Sequence, residues 1–268
     1  MHKKSFLILF FILVSSLLLL FSYDYNLVDE LYRVGKYKEG LKNLETDFDK
    51  SKPESQMIWR ISRFYFEIAE AIDKRDKQEK IKQYTKGMDI AEPYLDIKNG
   101  DDLDRAQVIF WYTACFGSRG EVIGIKESLD IVPKLFELAD KSLALDPTFA
   151  APYLLKGRID NAVPFFLGGD KFRLGQNLSL AIKYNPEDMS VLVDSADMFI
   201  KRDWDADKKQ KNAEKKGTDD GTPQNLSDKE YAKILLEKGI KLFDKIKDPS
   251  FRDKSKLEEA KTLLAGLK

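Results

Sequence analysis

ADKSLALDPTFAAPYLLKG, residues 139–157, and NLSLAIKYNPEDMSVLVDSA, residues 177–196, decide the fold. In each, apolar residues at a spacing of three to four run into Asp-Pro or Asn-Pro, and the spacing then resumes. Proline pushes the preceding residue out of the helical region, so Pro147 and Pro186 each end one helix shortly before the next begins. The same reading extends outward to Ile58, Ile61, Tyr65, Ile68 and Ile72, to Leu135, Leu138, Ala139, Ser142 and Leu143, and to Leu257, Ala260, Leu264 and Leu267. Strand-type alternation is nearly absent, which predicts an all-α chain. Further stops stand at Lys52-Pro53, Asn99-Gly100 and Asp248-Pro249. From Pro53 to Gly100 is 47 residues, from Gly100 to Pro147 is 47, and from Pro147 to Pro186 is 39. Each interval holds two helices and their turns, the rhythm of a right-handed helical solenoid of roughly ten to thirteen helices.

Composition narrows the function. The 45 Lys and Arg balance the 45 Asp and Glu, so no basic excess exists for a nucleic-acid clamp. The only histidine is His2 and the only cysteine is Cys115. Neither a Ser-His-Asp nor a Cys-His pair can be built from the helical body, nor can a His-ligated zinc site. Cys115 lies among aromatic residues and reads as a small buried hydrophobe. Asp101-Asp102-Leu103-Asp104 lacks the glycine and closing glutamate of a calcium loop and reads as an acidic helix start. No cofactor or metal is expected.

Residues 1–26 read as an export segment. Lys3 and Lys4 precede an apolar run from Phe6 to Phe21, interrupted by Ser15 and Ser16. The run is shorter than the ~20 residues of a comfortable spanning helix, which favours a signal peptide over an uncleaved membrane anchor. The absence of a cysteine after the run excludes a lipoprotein anchor. Either reading places the body, 27–268, in the periplasm or cell envelope of a bacterial cell, with membrane contact only through the N-terminal segment.

The repeat text resembles a known family. In LYRVGKYKEGLKNLE, residues 31–45, Gly35, Tyr37, Gly40 and Leu44 occupy positions resembling those of a tetratricopeptide (TPR) turn. Ala181 and Leu178 fall on the small and large positions before Pro186. In NAVPFFLGGDKF, residues 161–172, Pro164 and Leu167-Gly168-Gly169-Asp170 resemble a corner of the TPR component associated with TRAP-type (tripartite, ATP-independent) solute transporters. More distantly the chain resembles the regulators of microtubule dynamics. FWYTACFGSRGEV, residues 110–122, fits as an aromatic helix followed by a glycine-rich corner. The transporter resemblance implies a solute-binding protein as partner, together with self-association into a homo-oligomer.

At the corner, Gly168 and Gly169 allow left-handed backbone and Asp170 caps the following helix. The stretch 201–226 is polar and rich in Lys and Asp, and reads as a solvated, mobile loop between two helices rather than a docking arm, since only Trp204 in it is apolar enough to anchor a partner. First helices of TPR pairs line the concave face, which makes Trp111 and Tyr112 candidates for binding. Arg119, Arg158 and Asp160 are candidates for the same groove, suited to carboxylate capture. The function expected is a non-enzymatic scaffold that binds a protein partner or ligand through its concave face. The competitor is an anchored assembly factor for an unrelated envelope complex. A hydrolase using a carboxylate pair without histidine is the remaining alternative, against which no two carboxylates stand in an apolar neighbourhood.

Overall fold

The computed structural model describes residues 23–267. All but the last four residues of the expected export segment lie outside the described residues. The helical body already begins at Tyr25, two residues before the expected boundary. None of the described helices is long and apolar enough to cross a membrane.

The described residues form thirteen α-helices and no strand. They are α1 (Tyr25–Arg33), α2 (Tyr37–Asp47), α3 (Ser55–Glu70), α4 (Lys77–Ala91), α5 (Asp102–Ile123), the short α6 (Ile125–Asp130), α7 (Val132–Leu145), α8 (Ala150–Ala162), α9 (Lys171–Tyr184), α10 (Met189–Arg202), α11 (Ala206–Lys216), α12 (Asp228–Phe243) and α13 (Phe251–Gly266). The expected stops hold, and side chains start the helices that follow several of them. Asp101, Asp170 and Asp188 accept backbone N–H bonds at the starts of α5, α9 and α10. Ser227 and Ser250 form capping boxes with Glu230 and Asp253.

From α1 to α10 each helix packs on its successor, α10 then packs chiefly on α12 and α12 on α13, while α3 also packs on α5, α5 on α7 and α8 on α10. The all-α solenoid expected from the sequence is therefore present. Its core is a series of clusters rather than one centre. Val28, Leu44, Ile61 and Phe64 join α1 to α3, Ile58, Tyr84, Ile109 and Leu138 join α3 to α7, and Leu174, Leu192, Phe199 and Leu236 join α9 to α12. Small residues set the spacing. A Cβ at Gly40 would stand 2.5 Å from the Phe64 ring, and Ser142 in its seam donates to the Ala106 carbonyl at 2.9 Å.

Two expectations need correction. The glycine-rich corner after the aromatic helix is not at Gly117–Gly120. The helix continues to Ile123, and the chain turns at Gly124, where φ is 156°. The stretch 201–226 is not a solvated loop. It contains α11, and Trp204, Lys209, Asp220 and Thr222 are all buried. Arg202 binds Asp228 through Nε and Nη2, both at 2.7 Å, and Asp220 through Nη1 at 2.6 Å. Lys209 Nζ lies 3.0 Å from the same Asp228. Two cations meet two carboxylates, so the charges balance where water is excluded.

The start of the last helix, with the turn before it, returns to the first two helices. Arg33 binds the Asp248 carboxylate at 2.8 Å and its backbone carbonyl at 3.1 Å. Phe251 meets Tyr37 edge to face, with centroids 6.4 Å apart. Beside this contact Gly35 takes a φ of 78°.

Candidate functional site

Because the ends meet, the concave side is a cavity of about 770 Å³. Its wall comes from α1, α3, α5, the starts of α8 and α10, the end of α12 and the start of α13. First helices thus face inward, as expected for paired-helix repeats.

One side of the wall is aromatic. Phe110 stacks edge to face with Trp111 at 5.1 Å and with Phe149 at 5.3 Å. Trp111 Nε1 is buried and has no hydrogen-bond partner. A buried donor without an acceptor costs about 1–3 kcal/mol.

The rest of the wall is charged, with Arg33, Arg63, Lys245 and Arg252 beside Glu187, Asp188 and Asp253. Arg60 and Arg63 share one carboxylate, Asp29, with Nη2 contacts of 2.7 and 3.0 Å. Burial alone would raise Asp29, but hydrogen bonds and charge from both arginines outweigh it and hold its carboxyl below the usual range. Arg63 stacks on Tyr32 at 3.7 Å and on Trp59 at 4.7 Å. Its buried Nε has no partner. Burial pulls its pKa down from the usual arginine value. Tyr32 donates to Glu67 at 2.7 Å, and burial followed by the Glu67 charge raises the phenol. Arg252 Nε donates to Ser190 Oγ at 2.9 Å, while its Nη1 stays 3.9 Å from Glu67. Arg63, Arg252 and Trp111 thus line one cavity, a combination of guanidiniums and an aromatic ring suited to an acceptor-rich group such as a carboxylate.

Of the residues singled out in the sequence, Trp111 lines this cavity, and Tyr112, Arg119, Arg158 and Asp160 do not. Tyr112 is 7% exposed and packs in the core cluster between α3 and α7. Consecutive residues on a helix point about 100° apart, so only one of the pair can face inward. Burial, then the nearby Glu92, raises the Tyr112 phenol. Arg119 is half-buried on the Tyr112 side of α5. Arg158 is exposed, close enough to Glu121 to oppose the rise that burial gives that carboxyl.

Asp160 is fully buried and serves the corner, not the groove. It accepts from Arg173 Nε at 2.9 Å, from Asn177 at 3.3 Å and from the Asp170 backbone at 3.1 Å. Burial raises its carboxyl and Arg173 counters the rise. At the corner the cap and one left-handed glycine are as expected, but Gly169 is not left-handed and is needed for space instead. Gly168 is left-handed at φ 98°, Gly169 has no room for a Cβ against the Val163 carbonyl, and Asp170 caps α9 through the N–H groups of Phe172 and Arg173.

The charged part of the wall was not anticipated. Arg63 and Arg252 lie on helices far apart in sequence and belong to no local motif. The available signal was the density of arginine and aromatic residues in IWRISRFYF, residues 58–66.

Residues 25–163, more than half of the chain, match the family described as Regulator of microtubule dynamics protein 1-3. No curated protein matches the chain.

Proposed function

The chain belongs to the regulator of microtubule dynamics protein 1-3 family, and from that premise we propose that it is a non-enzymatic scaffold whose cavity receives the carboxylate-bearing end or an acidic segment of a partner protein. The observation that carries the reading is the convergence on one cavity of the aromatic rings of Phe110, Trp111 and Phe149 with the Arg63 and Arg252 side chains. Aromatic rings and arginine are the side chains that concentrate binding energy in interfaces.

The test is a pull-down from cell extract with the parent and with Phe110→Ala combined with Arg252→Ala. Truncation of such anchors costs about 2 kcal/mol or more, roughly thirtyfold in affinity. Partner capture should be lost while the helical signal and melting temperature stay near the parent values. Retained capture would sink the cavity reading.

The identity of the partner is a separate proposal with two arms. The family description concerns microtubule dynamics, and co-sedimentation with polymerised tubulin tests that role here. The second arm is a solute-binding protein of a TRAP-type transporter, with the scaffold in the cell envelope, exported or anchored by residues 1–26. It is favoured by the Leu167-Gly168-Gly169-Asp170 corner, which lies beyond the matched residues. Recovery of a solute-binding protein in the pull-down supports it, and recovery of tubulin alone refutes it. Self-association belongs to the same arm and is read by sedimentation. An assembly factor for an unrelated envelope complex would instead recover other envelope proteins.

A further inference from the structure

The turn from Pro164 to Gly168 lies outside the cavity wall and presents a concentrated apolar surface to water. Phe165 is 86% exposed, Phe166 82% and Leu167 45%. The other large apolar side chains exposed among the described residues stand singly along the chain. Two adjacent phenylalanines this open are an unfavourable way to finish a surface unless something covers them.

The turn is held in place. Leu167 N–H donates to Pro164 at 2.9 Å, Gly168 N–H to Phe165 at 3.0 Å and Gly169 N–H to Pro164 at 3.2 Å. Arg173, anchored by buried Asp160, donates to the Gly168 carbonyl at 2.9 Å. The rings therefore stand on a fixed platform rather than on a loop free to fold them inward.

Two cations, Arg173 and Lys216, flank that platform. The Arg173 side chain is 40% exposed, whereas its partner Asp160 is 0% exposed. Lys216 is 47% exposed beside Asp170 at 29%, with 3.6 Å between their charged atoms. Arg158 on the preceding helix is also exposed.

We propose that this turn is a docking wedge for an anionic lipid surface, with Phe165 and Phe166 entering the acyl boundary and Arg158, Arg173 and Lys216 meeting headgroup phosphates. Aromatic rings favour the membrane interface, and each nearby cation adds electrostatic attraction to acidic lipid. A bilayer accepts a convex wedge without a preformed pocket. The wedge is separate from the cavity, so either reading can fail alone.

The apolar run at residues 6–21 could itself bring the full chain to vesicles, so the readout must be local. Cys115 is buried and its thiol is pushed up to about 12 by burial, leaving an introduced cysteine as the site that labels. Phe166→Cys and, as control, exposed Ile234→Cys carry an environment-sensitive fluorophore in the full chain. Each is mixed with phosphatidylcholine vesicles, with and without a quarter of phosphatidylserine. With phosphatidylserine, the label at 166 should shift to the blue and be quenched by brominated acyl chains, while the label at 234 should not. Adding Arg158→Gln and Lys216→Gln should weaken that response about thirtyfold. Equal behaviour of the two labels overturns the proposal, as does an equal response to neutral vesicles. A blue shift on concentrating the protein without lipid also overturns it, and assigns the turn to a protein contact. The comparison of the two vesicle types needs no further variant, so it stands even where a substitution alters folding.

Discussion

Two sets of ion pairs join segments distant in sequence, one beneath α11 and one between the two ends of the solenoid, where α1 and α3 meet the start of α13 and the turn before it. Beneath α11, the Arg202, Lys209, Asp220 and Asp228 side chains are 0–2% exposed, and each charge has an opposite partner. Between the ends, Arg33 is 33% exposed and Asp248 73%, and Arg252 keeps 3.9 Å from Glu67. Where water is excluded, losing one partner strands a charge. Where water has access, it replaces the lost partner at little cost. The first set should act as a fixed joint and the second as a soft one, although both use Arg and Asp.

The largest effect tests the fixed joint. Arg202→Ala should destabilise the chain by about 3–5 kcal/mol, read by denaturant unfolding. A loss under about 1 kcal/mol would place the cluster in the same class as surface pairs and remove the contrast. Acid should act on the same joint. Asp220 is buried, and the charge of Arg202 with hydrogen bonds from Thr222 holds its carboxyl below the usual range. Its contribution is complete above the unfolded carboxylate value of about 3.9 and is lost as the pH falls through its lower folded value. Trp204 fluorescence, followed through acid titration, should change in that window. An unchanged signal there would detach Asp220 from the joint.

Asp160→Asn is intermediate, because its partner Arg173 can turn to water. A loss of about 1–3 kcal/mol is expected, with faster proteolysis at residues 163–170 than in the parent. The smallest effect belongs to the ends. Asp248→Ala should change stability by about 0–1 kcal/mol. It should nevertheless lengthen the distance between fluorophores placed at 27 and 258, as should high salt, which screens exposed pairs. A distance insensitive to both would make the Phe251 and Tyr37 contact the controlling one.

The legible part of this fold was local. Ile58, Ile61 and Tyr65 repeat at helical spacing and are buried, and the Pro147 and Pro186 stops act through neighbouring residues alone. The left-handed Gly168 and the Asp170 cap were equally legible, since backbone conformation and capping are decided within a few residues. The insert was misread because composition carries no partner information. Lys209 resembles the exposed lysines around it, and only the fold brings Asp228 to it. The cavity was half legible for the same reason. Trp111 lies on a first helix, and such helices face inward. Telling it from Tyr112 requires the rotation of α5, and Arg252 comes from a helix that reaches the cavity only when the ends meet.

That meeting of the ends has a consequence for cooperativity. A row of stacked repeats has two free boundaries, and unfolding ordinarily begins there, because a terminal unit has one neighbour instead of two. Here the first and last units are also neighbours of each other, through Arg33 with Asp248 and Phe251 with Tyr37. The row acquires the boundary condition of a ring, in which any unit that opens must leave two neighbours. Removing α13 would therefore expose two boundaries at once, one at α12 and one at α1, far away in sequence.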